Sequence, residues 1–150
     1  MKTIFEAATY DEISRRLDSL QPVAQRQWGK MTVAQMLEHT ARTTEIATGK
    51  RRLKQVFVGR LLGWVFRSQF VGDKPFGKNS PTGSEFVVTA LDPNFSAAKA
   101  RLKSVLSDLH ALGEKGCDGN VHPFFGRLTG VEWGVSQYKH VDHHLRQFGA

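Results

Sequence analysis

Imidazole carries protons near neutral pH and is the commonest ligand of transition metals, and this sequence has six histidines, at positions 39, 110, 122, 140, 143 and 144. His140 and His144 stand four residues apart near the C-terminus. On a helix turning about 100° per residue, Trp133, Gln137, His140, His144 and Phe148 share one arc of about 80°. His143 lies at its edge, and Tyr138, Lys139 and Asp142 are expected to face solvent. An i, i+4 pair of imidazoles can converge on one metal ion. A third is offered by His39, on a stripe with Met36, Thr43 and Ile46 that should also face the core. Polar nitrogens turned into an apolar interior cost about 1–3 kcal/mol each when unpaired, and one divalent ion would satisfy all three. Three neutral ligands leave a tetrahedral position open for water or substrate, the pattern of a catalytic rather than a structural site. The competing reading of each inward histidine is a hydrogen-bonded core residue.

Metal-bound imidazoles need a hydrogen bond at the second ring nitrogen. Gln147, one turn beyond His144, and Thr43, one turn beyond His39, are candidates for that role, as they are for plain surface or packing roles. His122, ahead of Pro123, reads as a supporting hydrogen-bonder or a simple turn residue. His110 suits the negative end of its helix. Cys117 has no identifiable base and reads as a free thiol. No catalytic acid or base can be named.

The elements that would position these residues are helical almost throughout, because apolar residues recur at intervals of three and four. A first helix is expected over about Tyr10–Leu20, with Thr9 and Glu12 as a capping box. A second spans about Val33–Gly49, opened by Thr32 and Gln35 with Met31 and Met36 as a staple, and stopped by Gly49. The third, about Gln55–Val71, is apolar around most of its circumference and should pack across the others or form an oligomer contact. Gly72–Leu91 reads as a long surface crossover, with a short extended piece at Glu85–Ala90. The fourth helix, about Pro93–Leu112, has Asp92 as its cap, Gly113 as its stop and a core stripe of Phe95, Ala98, Leu102, Val105, Leu109 and Leu112. A glycine-rich turn follows, and the last helix opens at Thr129 with Glu132, stapled by Leu128 on Trp133 and ended by Gly149.

At 150 residues with 40% hydrophobic and 23% charged residues, the chain reads as one domain, 1–150. Its single cysteine excludes an internal disulfide. Acidic residues at 6, 11 and 12 precede any signal-peptide-like run, so the expectation is a cytoplasmic protein. No apolar run approaches the roughly 20 residues needed to cross a bilayer. Net charge is +7. Lys50–Lys78 holds eight basic residues against one acid, Asp73, and the remainder of the chain is neutral. That stretch reads as a solvated helix face or as a surface drawing phosphate or acidic lipid. Phe57, Trp64, Phe66 and Phe70 are interleaved with it, but their helical spacing reads as packing rather than base stacking, so nucleic acid is not the expected partner.

His39, followed far downstream by His140-x-x-x-His144 and Gln147 three positions on, resembles the DinB/YfiT-like superfamily. The stretches Trp28–His39, His122–Gly126 and Glu132–His140 are similar to a branch of it that is mostly of undefined function. The likeness covers nearly the whole chain, departing around His122 and in the basic third helix. It implies an all-α, up-down-down-up four-helix bundle in which His39, His140 and His144 bind a divalent metal ion, commonly nickel or zinc. It also implies a homodimer and thiol-dependent chemistry with a low-molecular-weight thiol. The function expected is thus a metal-dependent enzyme acting on a small molecule, either a thiol-dependent transferase or isomerase or a hydrolase. The alternative is a non-catalytic helical binding module that uses the basic 50–78 segment to hold an anionic partner or a membrane surface.

Overall fold

A computed structural model describes residues 1–80, 82–89 and 93–150. Five helices carry the chain: α1 (Ala7–Ser19), α2 (Val33–Ala47), α3 (Phe57–Val71), α4 (Phe95–Cys117) and α5 (Gly130–Gln147). The described residues are mostly helical with little strand, as the apolar spacing predicts. Two-residue strands, β1 (Val121–His122) and β2 (Gly126–Arg127), pair antiparallel just before α5. No described helix is long and apolar enough to cross a membrane.

The capping boxes at Thr32–Gln35 and Thr129–Glu132 are both formed, each hydroxyl accepting the N3 amide while the N3 side chain accepts the cap amide. These two helices carry the three candidate ligands, and satisfying their first-turn amides fixes where each begins. The box expected at Thr9 is absent. α1 starts three residues earlier after Glu6, and Thr9, buried inside the helix, donates to the Glu6 carboxylate. α4 is capped by Asn94, whose side chain accepts from the Ala97 amide. Pro93 therefore precedes the helix, and the cap expected at Asp92 lies outside the described residues. Gly113 interrupts α4 with φ +65°, after which one more helical turn runs to Cys117. Leu112, at that break, is exposed instead of completing the stripe. Of the expected extended piece at 85–90, Ser84–Phe86 is a short 3-10 turn, and Ala90 lies outside the described residues.

The core gathers Ile13 and Leu17 of α1, Met36, Leu37 and Ala41 of α2, Leu102, Leu106 and Leu109 of α4, and Trp133, Val141 and Leu145 of α5. Each of the buried Leu, Ile, Val and Met side chains contributes about 1.5–3 kcal/mol by leaving water. α5 packs against α1, α2, α3 and α4, so it is covered on nearly every side. That corrects the expectation for its outer face. Asp142 is buried and pairs with Arg16 of α1 at 2.7 Å and Arg146 at 2.9 Å. Lys139 is buried too, and its ammonium donates to the carbonyls of Gln69, Phe70 and Gly72 at 2.6–3.0 Å. It thereby satisfies the end of α3, where carbonyls have no helical partner.

α3 departs furthest from its reading. It buries only Gly59 and Gly63, which lie so close to the Phe124 carbonyl that a Cβ on either would collide with it. Arg67 adds a two-bond ion pair to Glu132 of α5 at 2.6–2.8 Å. Phe57, Trp64 and Phe66, expected to pack, are instead exposed, and only Phe70 is partly buried. The helix approaches the body through its glycines, so the large residues have nothing to pack on.

Candidate metal centre

α2 and α5 run side by side and bring His39, His140 and His144 together. His39 Nε2 is 3.2 Å from His140 Nε2, which is 3.1 Å from His144 Nε2. One ligand atom from each lies within 4.8 Å of the others. His39 and His144 are buried, and His140 is partly buried.

The opposite nitrogens decide the chemistry. The Phe86 carbonyl can only accept, so His39 Nδ1, 3.0 Å away, must donate. Gln147 Nε2 donates to the Trp28 carbonyl at 2.8 Å, which turns Gln147 Oε1 toward His144 Nδ1 at 2.9 Å. The Thr43 hydroxyl lies 2.9 Å from the Thr40 carbonyl and 3.2 Å from His140 Nδ1, to which a hydroxyl can donate or from which it can accept. His39 and His144 therefore carry their proton on Nδ1, and His140 does so when Thr43 donates to Thr40. Burial holds them neutral: it pushes His39 below its ordinary pKa, lowers His144 to about 3, and takes His140 well below the usual range, the neighbouring imidazoles adding to the effect on the latter two.

Without a metal, a His140 Nε2–H can donate to one of its two neighbours at 3.1–3.2 Å; a cation at the focus would instead take the Nε2 lone pairs of all three rings. The set fits a divalent transition ion, since nitrogens bound at 2.0–2.1 Å to a tetrahedral centre lie about 3.3 Å from one another.

Gln147 and Thr43 both stand behind rings of the trio, though Thr43 meets His140 across the helix pair, not the His39 ring of its own helix. His122 makes no hydrogen bond to the trio among the described residues. Its Nδ1 accepts the Phe124 and Phe125 amides at 3.1 and 3.2 Å, which closes the β1–β2 turn, and burial lowers its pKa to about 4. His110 stacks on Tyr10 and donates to the Ile4 carbonyl, away from the site. Cys117 is a buried free thiol whose pKa burial raises to about 11.

Three contributors gave no usable signal in the sequence. The Phe86 acceptor is a backbone atom delivered by the 3-10 turn. Phe76 comes from the long crossover and lies 6.3 Å, centroid to centroid, from both His140 and His143. Trp28 meets His143 edge-on at 5.5 Å, and its Nε1 is a buried donor with no partner, alone in this among the described residues.

A family model described as "Protein of unknown function (DUF1569)" matches residues 4–150. Neither the curated proteins nor the solved structures compared with the chain give a match.

Proposed function

Because the chain belongs to the DUF1569 family, whose function is unknown, its activity has to be argued from the site, and we propose that it is a metal-dependent enzyme acting on a small molecule. The observation that carries the reading is convergence: three neutral imidazoles from two helices, His39 and His144 with their Nδ1 protons committed elsewhere, bring their Nε2 atoms to a common point. His39, His140 and His144 hold a divalent ion, nickel or zinc. Phe86, Thr43 and Gln147 fix the rings. Such an ion supplies Lewis acidity and lowers the pKa of a bound thiol or water toward neutrality.

The chain's own contribution is orientation and exclusion of water. Phe70, stacked on Phe125 at 4.2 Å and on Phe76 at 5.6 Å, builds an aromatic wall beside His140. Trp28 borders the other edge through His143. The His140 side, where the ring is only partly buried, is the approach for a substrate. With the spacing of Gln147 after His144, these residues support the likeness to the DinB/YfiT-like superfamily. We infer the same up-down-down-up four-helix bundle, with α3 as the added helix. The reaction is either thiol-dependent transfer or isomerisation, using a low-molecular-weight thiol, or hydrolysis.

Elemental analysis of protein purified without added metal or a histidine tag tests the site. About one nickel or zinc per chain is expected, lost in His39→Ala; equal, stoichiometric metal in both proteins removes His39 from the site. Loaded protein is then assayed for thiol addition to an electrophilic aromatic and for ester hydrolysis. Metal-dependent turnover that disappears in His39→Ala is the expected result, and none in either assay counts against an enzyme of these classes.

A further inference from the structure

Outside the histidine site, the surface feature without an internal explanation is α3 together with the segment leading into it. Its outward side is apolar: Phe57 is 73%, Leu61 56% and Trp64 77% exposed, and Val58 and Val65 are exposed beside them. At about 100° per residue, Phe57, Leu61, Trp64 and Val65 fall opposite the buried glycines, so they form one face directed away from the body. Soluble domains rarely leave so continuous an apolar stripe uncovered without a partner for it.

The charge beside the stripe says which partner. A cleft of about 770 Å³ opens between the 49–60 segment and the β1–β2 hairpin, and Arg51, Arg52, Lys54, Arg60 and Arg127 line it without a carboxylate among its walls. Among the described residues, the side chains of Arg51, Arg52, Lys54 and Arg60 have no ion-pair or hydrogen-bond partner, unlike Lys50, which pairs with Asp108, and Arg67, which pairs with Glu132. A second copy of the chain laid on this face would bring like-charged clusters together. Single-stranded nucleic acid could stack on Phe57 and Trp64 but would leave the aliphatic Val58, Leu61 and Val65 between them uncovered. A lipid surface answers both halves, because an interfacial helix buries apolar side chains at the acyl boundary while its cations meet anionic headgroups.

We propose that α3 docks this protein on an anionic phospholipid surface, with Phe57, Leu61, Trp64 and Val65 entering the interface and Arg51, Arg52, Lys54 and Arg60 receiving the lipid phosphates. The attachment of α3 suits this role. It is held by glycine contacts, the Arg67–Glu132 pair and the Lys139 cap, none of which uses the outward residues.

The test is flotation of the full chain with vesicles of phosphatidylglycerol and phosphatidylcholine, against phosphatidylcholine alone. Binding to the anionic vesicles at least about tenfold above neutral ones is expected, weakening in high salt. Arg51→Gln and Arg52→Gln should each lower it about fivefold. Leu61→Ser and Trp64→Ser should abolish it while thermal melts and metal content stay as in the parent. Trp64 emission should shift to the blue on binding, a change missing in Trp64→Phe. The proposal is overturned by absent binding, by equal binding to neutral vesicles, or by binding that survives Leu61→Ser and Trp64→Ser. It is also overturned if sedimentation shows a stable dimer that Leu61→Asp dissolves, or if a single-stranded RNA oligomer binds this face and the vesicles do not.

Discussion

Replacing Gln147 by leucine keeps all three imidazoles and removes only what stands behind one of them. Gln147 is 3% exposed, accepts from His144 Nδ1 at 2.9 Å and donates to the Trp28 carbonyl at 2.8 Å. Leucine leaves the buried His144 Nδ1 unpaired and the part-buried Trp28 carbonyl to water, so the metal-free fold should lose about 1–3 kcal/mol. Loss of an oriented partner behind a ligand lowers metal affinity by about 10–100-fold, or about 1.4–2.8 kcal/mol of binding. Calorimetric titration with Zn2+ and Ni2+ reads the second quantity, and thermal melts read the first. Parent protein at a metal concentration of 100 Kd should gain about 2.7 kcal/mol, a rise in Tm of roughly 5–11 °C for a chain of this size. Gln147→Glu is the companion, since its carboxylate still accepts from His144 but offers Trp28 nothing. It should keep metal affinity while losing stability. If Gln147→Leu folds and binds metal within about threefold of the parent, then Gln147 does not set the His144 tautomer and the argument for converging lone pairs fails.

Acid should destabilise the fold through its buried histidines. His122, lowered to about 4 against 6.5 in the unfolded chain, is neutral in both states above pH 6.5 and costs nothing there. Below that the unfolded chain takes a proton the fold refuses, so stability falls as pH drops toward 4, by at most about 3 kcal/mol. Urea melts across this range should show a shallower pH slope in His122→Asn. Cys117, its thiol at about 11 and buried, should resist Ellman's reagent at pH 8 in the native protein and react fully in denaturant; fast native reaction would contradict its burial. Lys139→Met should leave the carbonyls of Gln69, Phe70 and Gly72 unpaired, and hydrogen exchange near the end of α3 should rise while α2 keeps its protection.

The histidine trio was legible because it obeys local rules. Capping boxes at Thr32 and Thr129 set the phase of two helices, and one turn separates His140 from His144, so their faces follow from counting residues. α3 was misread because periodicity records where apolar residues recur, not whether anything covers them. Gly59 and Gly63, one turn apart, mark the contact face, because only glycine lets the helix backbone come so close to the Phe124 carbonyl. Lys139 and Asp142 were placed in solvent because a two-faced helix was assumed, whereas α5 is enclosed by α1 and α3 as well as by the other core helices. The β1–β2 hairpin is too short to show alternation.

The acceptor behind His39 is a main-chain oxygen, that of Phe86. Any residue whose backbone follows the same path would present the same atom, so the crossover can drift in sequence and still serve the ring. Outside its buried positions, Phe86 and Val88, and the ring of Phe76, related chains are then expected to disagree in side chains there. Alanine at the exposed positions of that loop would register little, whereas inserting or deleting a single residue in it would disturb His39 directly.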